Sequence, residues 1–223
     1  MENLNVYIHV SPGTFLRDPN ISKLGRRILA GSIELIDELG FEDFTFKKLG
    51  ERIGSPESSI YRYFESKHMI LVYLTYWYWN WIEYKLVFAT INLNSEKKKL
   101  EKAINILTES VEQDGSIAHI NEVVLYRIIM NEGVKAYHTK EVDRENEKGY
   151  FKVYKQVVQR VCNMILKLNP TYEFPHMLIS TVIEGAHKQR YFAEHIPALT
   201  DITQKKKDSI PKFYKQLVFN AIK

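Results

Sequence analysis

Residues 55–62, Ser55-Pro56-Glu57-Ser58-Ser59-Ile60-Tyr61-Arg62, set small and polar side chains at the start of a short helix. The chemistry they offer is hydrogen bonding to base edges. Glu57 could accept from the N4 amine of cytosine, Ser58 and Ser59 can donate or accept, and Arg62 could read guanine or hold a phosphate. With no Asn or Gln to pair with adenine, the set specifies no base sequence. The chain shows no phosphate-cradling glycine loop, nucleophile elbow or metal-ligand array, so an enzyme built on a helical bundle stands only as an alternative and no cofactor is expected. Glu184, His187 and His195 fall on one helical face, but an ordinary ion pair accounts for them and no metal is expected.

The elements that position these residues follow from periodicity and capping. Residues 1–20 carry Pro12, Gly13 and Pro19 without sustained period and read as an arm. From Ile21 to Leu39 the residues Leu24, Ile28, Leu35, Ile36 and Leu39 recur at three- and four-residue steps, and Gly40 supplies the stop. Thr45 can cap a second helix through Ile53, ended by Gly54. Ser55 can cap a third with Pro56 at its first position, and Ser66 a fourth running to about Ala89. Further helices are expected at 96–113, 117–136, 139–168, 175–194 and 204–222, with no alternating stretch long enough for a strand. The fold class is all-α. Two short helices joined by a glycine turn, the second with polar residues at its start, is the geometry that enters a major groove, although any helical hairpin shares the outline.

The run Thr45-Phe46-Lys47-Lys48-Leu49-Gly50-Glu51-Arg52-Ile53-Gly54, followed by Ile60-Tyr61-Arg62-Tyr63-Phe64-Glu65-Ser66-Lys67, closely resembles the signature of the tetracycline-repressor (TetR) family, over about residues 24 to 71. The resemblance implies a helix-turn-helix domain at 21–70, a helical regulatory and dimerisation domain at 71–223, and a homodimer on double-stranded operator DNA. The chain departs from the family pattern in having Gly50 and Ile53 where Ala is usual, and Gly54-Ser55-Pro56 where Gly-Val-Ser is common. Carried over position by position, the resemblance makes Thr45 a phosphate contact, although it serves equally as a plain helix cap. Tyr61 would reach a phosphate with its phenol, with Tyr63 a lesser candidate. Lys67, at a helix start where a cation gains nothing from the dipole, would have an external phosphate as partner. Lys47 and Lys48 either touch the backbone or form a solvated face.

In the fourth helix Tyr73, Trp77, Trp81 and Tyr84 form an aromatic stripe, which is either core or one wall of a pocket for an apolar or aromatic small-molecule effector. Tyr126, Ile129, Met130, Tyr150 and Tyr154 are the candidates for its other walls. The stripes Ile179, Val182, Ile183, Ala186 and Phe213, Leu217, Ala221 are expected at the dimer interface, as the last two helices are in the resembled family, with intrachain core as the other reading. Gly185 would allow close approach there.

Composition bounds these readings loosely. With 45% hydrophobic and 26% charged residues the 223-residue chain should fold, and it can divide into two unequal domains. Its net charge of +4 is too mild to identify a nucleic-acid binder, and residues 1–70 hold nine basic and ten acidic side chains, a net of −1. Phosphate binding therefore depends on where the cations sit. The lone Cys162 forms no intrachain disulfide, Met1-Glu2-Asn3-Leu4 lacks the opening of a secretory signal, and the longest apolar stretch, Met69 to Ile82, is too short for a membrane span. A cytoplasmic setting without membrane contact is expected. The whole reads as a transcriptional regulator, a repressor released from a pseudo-palindromic operator by an effector; an architectural DNA binder without effector is the other alternative.

Overall fold

Ser22 opens the first long helix by accepting from the Gly25 N–H at 2.9 Å, satisfying one of the donors that a helix N-terminus leaves free. Helix α1, Lys23–Asp43, buries Ile28, Leu29, Ile33, Leu35 and Ile36 along one face. Gly40 breaks it at φ 78°, and the Phe41 N–H beyond the break donates to Glu132 Oε1 at 3.0 Å. The computed structural model describes residues 8–113, 119–203 and 209–223, and every regular element among them is helical. Helices α2 (Phe46–Ile53), α3 (Glu57–Ile60) and α4 (Lys67–Thr90) follow. Next come α5 (Glu96–Thr108), α6 (Glu122–Glu132), α7 (Val142–Glu147), α8 (Lys152–Leu168), α9 (Pro175–His195) and α10 (Ser209–Ala221).

The described contacts group into two compact units. One takes the chain up to Asn80 together with Val111–Lys152; the other takes Trp81–Ser110 with Val153–Lys223. In the first, α6 packs on α1 and Arg127 grips Asp37 with two hydrogen bonds at 2.9 and 2.6 Å. Helices α1, α2 and α3 thus share a compact unit with α6 and α7, and the boundary at residue 70 expected from sequence falls inside that unit. In the second unit α5, α9 and α10 pack together. Gly185 of α9 lies where an added Cβ would be 2.2 Å from the Tyr214 hydroxyl of α10. The close approach expected of Gly185 is therefore made within the chain.

Several boundaries differ from the sequence expectation. The segment 139–168 is two helices, parted at Gly149 with φ 82°. Helix α5 stops at Thr108, whose hydroxyl turns back onto the Ile104 carbonyl at 2.6 Å. Helix α6 starts at its Asn121 cap and continues into a 3₁₀ turn, Gly133–Ala136. The expected starts of the helices at 117 and 204 lie outside the described residues. Of the expected arm, residues 8–20 are packed: Ile8, Val10, Thr14 and Pro19 are buried, and Asp18 caps the 3₁₀ turn Pro19–Ile21.

Candidate nucleic-acid interface

The helix pair is fixed by its caps. Thr45 Oγ1 accepts from the Lys48 N–H at 3.2 Å, so its hydroxyl does the work of an N-cap. At the other end of α2, Gly54 adopts the left-handed conformation (φ 58°, ψ 48°), which a side chain would disfavour. The Ser55 N–H then returns to the Gly50 carbonyl at 2.9 Å. Helix α3 begins one residue later than the sequence suggests: Pro56 occupies the cap position with extended ψ 142°, and Ser55 caps nothing. With ψ 142° Pro56 stays outside the helix, so the Ser55 hydroxyl lies one residue too early to serve the free N–H groups of the first turn.

Two departures from the family pattern acquire a packing explanation. An added Cβ at Gly50 would stand 2.6 Å from the Ser55 carbonyl oxygen, so the turn lies against α2 where only glycine leaves room. Ile53 fills space opposite Gly31 of α1, where an added Cβ would meet Ile53 Cγ2 at 2.6 Å. The larger residue on α2 is matched by the absent side chain on α1.

On this frame Pro56, Glu57, Ser58 and Arg62 are exposed and Ser59 is half-buried, while Ile60 and Phe64 are fully buried anchors. Tyr61 is 50% exposed, its ring edge-on to Phe46 with centroids 4.8 Å apart. Tyr63 faces inward: it is buried and its hydroxyl shares a 2.8 Å hydrogen bond with Ser22 Oγ. Its placement is that of a core residue rather than the backbone contact expected. Lys67 donates to the carbonyls of Phe41 and Glu42 at 3.0 and 2.8 Å and lies over the Phe41 ring. Its ammonium thus satisfies chain carbonyls after the break in α1, an internal partner that the sequence did not reveal. Lys48 likewise donates to the Asp43 carbonyl at 2.9 Å, whereas Lys47 is exposed.

The charge pattern resolves the unpromising net charge. Arg52 pairs with Glu38 at 2.5 Å, Arg127 with Asp37, and Lys135 with both Glu42 and Glu132 at 2.8 Å. Lys135 holds the Glu42 carboxyl below the usual range, and Glu38 raises the Arg52 guanidinium above its own. Within residues 1–70 these pairs neutralise Asp37, Glu38 and Glu42, the first and last by cations from beyond residue 70. The side chains of Arg17, Lys23, Arg27, Lys47 and Arg62 make no ion pair or hydrogen bond among the described residues. Arg27 was missed in the sequence. It precedes Gly31 by one helical turn, and its guanidinium reaches within 3.8 Å of where a Gly54 Cβ would stand.

The proposed pocket residues are mostly packed. Tyr73, Trp77, Trp81, Tyr126, Ile129, Met130 and Tyr150 are buried, Tyr154 is half-buried and Tyr84 exposed. Within the first unit Tyr78 stacks on Tyr126 at 6.2 Å, and Tyr73 meets Phe64 edge-on at 5.4 Å. Within the second, Tyr154 donates to Glu184 Oε1 at 3.2 Å, and the Lys85 ammonium lies over the Trp81 ring. The second unit also holds a cleft of about 510 Å³ lined by Glu83, Glu96, Lys99, Gln156, Arg160 and Lys167 among others. Arg160 pairs there with Glu83, and Lys99 with Glu96 at 2.7 Å.

Of the expected dimer stripes, Ile179, Val182, Ile183 and Ala186 are completely buried within the chain. This corrects their assignment: they belong to the core formed with α5 and α10, since periodicity marks a buried face without saying what buries it. Phe213, Leu217 and Ala221 are exposed. Among the described residues no His, Cys, Asp and Glu grouping could hold a metal, and no helix is long and apolar enough to cross a membrane.

Residues 28–74 match the family model for bacterial regulatory proteins, tetR family. A search of curated protein sequences gives no match. Among solved structures the chain is similar to the fatty acid degradation regulator FadR from Bacillus halodurans, with TM-score 0.58 and 12% identity, covering 88% of this chain and 93% of that one. It is also similar to the superantigen PfiT, with TM-score 0.56 and 16% identity, covering 87% of this chain and 95% of that one. At these identities the likeness is one of fold.

Proposed function

As a DNA-binding transcriptional regulator of the tetR family, this protein, we propose, is a repressor that binds a pseudo-palindromic operator as a homodimer and leaves it when a small molecule binds. The observation that carries the reading is the exposed edge of α3 and of the turn after it: Glu57 and Ser58 follow the left-handed turn at Gly54, and Arg62 follows the half-exposed Tyr61. In a major groove the side chains of α3 read bases, while Tyr61, Lys47 and Arg27 hold phosphates. Thr45, as the cap of α2, contributes through the amide groups it orients. Tyr63 and Lys67 act by holding the domain together. Two such units on one face of the duplex require two-fold symmetry. The exposed Phe213 and Leu217 of α10 are the apolar surface proposed for the mate. A cytoplasmic location goes with this role.

For the effector, the polar cleft of the second unit is a better site than the Trp77 and Trp81 rings, which are already packed. Its volume suits a small ligand. Glu83 Oε2 and Glu96 Oε2 are buried and accept no hydrogen bond among the described residues, acceptors that an N–H or O–H of a polar effector would satisfy. The test is selection of duplexes from a random library by the full-length protein, followed by footprinting with and without the small molecules that mass spectrometry finds retained on it. A symmetric footprint lost on adding one of them supports the reading. Persistent binding with every retained compound removes the effector.

A further inference from the structure

We propose that Arg17 is a phosphate-contacting residue, which makes the segment 8–17 a third component of the DNA-binding surface beside α2 and α3; this rests on the DNA-binding reading above. The segment runs antiparallel to α4. The Asn80 amide donates to the His9 carbonyl, Phe15 meets Tyr73 edge-on with centroids 6.0 Å apart, and the Leu16 N–H donates to the Tyr63 carbonyl at 2.8 Å. Tyr150 ties the middle of it by donating to the Gly13 carbonyl at 2.7 Å, and Thr14 is buried with its hydroxyl on the Ser11 carbonyl. So anchored, the segment delivers Arg17 to a defined place. The guanidinium carbon lies 5.4 Å from the centroid of the Tyr63 ring, in the turn that also carries Tyr61 and Arg62.

Three features suit Arg17 to a phosphate. It is exposed, it has no carboxylate partner among the described residues, and its place on an aromatic face leaves the in-plane N–H groups free to point outward. Tyr63, itself held by Ser22 Oγ, is the platform that limits where the guanidinium can go. The contact restrains the guanidinium before DNA arrives, so less side-chain freedom is lost on binding. A lysine at this position would keep the charge but lose the stacking.

The experiment measures affinity against salt concentration for the wild type, Arg17→Gln and Arg17→Lys, each on the selected operator and on an unrelated duplex. Melting temperatures check that the fold is kept. Loss of one phosphate contact lowers the slope of log K against log salt by about 0.9 per bound subunit, so the wild-type advantage over Arg17→Gln should shrink about 3.5-fold per subunit between 50 and 200 mM salt. Both duplexes should show it equally, and Arg17→Lys should keep the wild-type slope. An Arg17→Gln slope equal to wild type overturns the proposal, and so does a changed base preference at constant slope. If the wild type itself binds no duplex in a salt-dependent way, the DNA-binding reading fails along with it, a result distinguishable because it appears before any variant is made.

Discussion

Replacing Gly50 by Ala should damage operator binding far more than it damages the fold. The new Cβ would stand 2.6 Å from the Ser55 carbonyl oxygen, and Glu57 N would be 3.4 Å away. The obstacle is backbone, so relief requires the turn to retreat by roughly half an ångström, and α3 starts directly from that turn. Overpacking of this kind costs about 1 to 3 kcal/mol. Alanine in place of glycine inside a helix returns about 1 kcal/mol. The net loss of stability should therefore lie between about 0 and 2 kcal/mol, measured by urea denaturation. Binding is less forgiving, because a base contact is worth about 1 to 3 kcal/mol and a shifted α3 loosens one in each half-site, about five- to 150-fold per half-site. Fluorescence anisotropy on the selected operator reads this directly, with an unrelated duplex as control. Relaxing the turn by adding Pro56→Ser to Gly50→Ala should restore part of the affinity. A Gly50→Ala protein that gains about 1 kcal/mol of stability and binds the operator as the wild type does would refute the argument that the Gly50–Ser55 contact positions α3.

Three other outcomes follow from the same structure. Gly31→Ala and Ile53→Ala should each destabilise, the first by about 1 to 3 kcal/mol through crowding and the second by about 2 to 5 through a cavity, whereas the double variant should recover about 0.5 to 3 kcal/mol as coupling in a denaturation cycle. Tyr61→Phe should leave the melting temperature unchanged and weaken operator and unrelated duplex alike, since the half-exposed side chain makes no hydrogen bond among the described residues; a loss confined to the operator would make Tyr61 a base reader. His187, buried in α9, is held down to about 4 by the desolvation of its charged form. Its folded value lies below the unfolded one, so stability is lost as pH falls from about 6.5 towards 4; wild type should lose about 2 kcal/mol more than His187→Gln between pH 7.5 and 5 in urea titrations. Equal losses in the two proteins would remove His187 from the pH response.

Local rules made the helix-turn-helix legible. Thr45, Gly54 and Ser66 are signals read within four residues, and the structure uses them as cap, left-handed turn and cap. Ser55 misled because a serine before proline looks like a cap with proline at the first helical position, while here Pro56 stays extended and the helix starts one residue later. Gly149 was invisible inside a long periodic stretch, since a single glycine is often tolerated in a helix. Long-range choices were beyond reach of the pattern. Periodicity marked Ile179, Val182, Ile183 and Ala186 as a buried face, but the same stripe serves a mate or the chain's own α5 and α10. Tyr61 and Tyr63 differ by two residues and read alike in sequence; only their partners, the Phe46 ring for one and the Ser22 hydroxyl for the other, separate a half-exposed tyrosine from a buried one. Lys67 was read by its helix dipole alone, and its partners lie 25 and 26 residues earlier at the end of α1.

The most direct test of the central claim is selection from a random duplex library by the full-length protein, with the enriched sites titrated at fixed salt against an unrelated duplex. The account predicts a two-fold symmetric site with half-sites about one helical turn apart, bound about 10³-fold or more tightly than the unrelated duplex. Enrichment of no sequence, or of sites without two-fold symmetry bound one chain at a time, would contradict it.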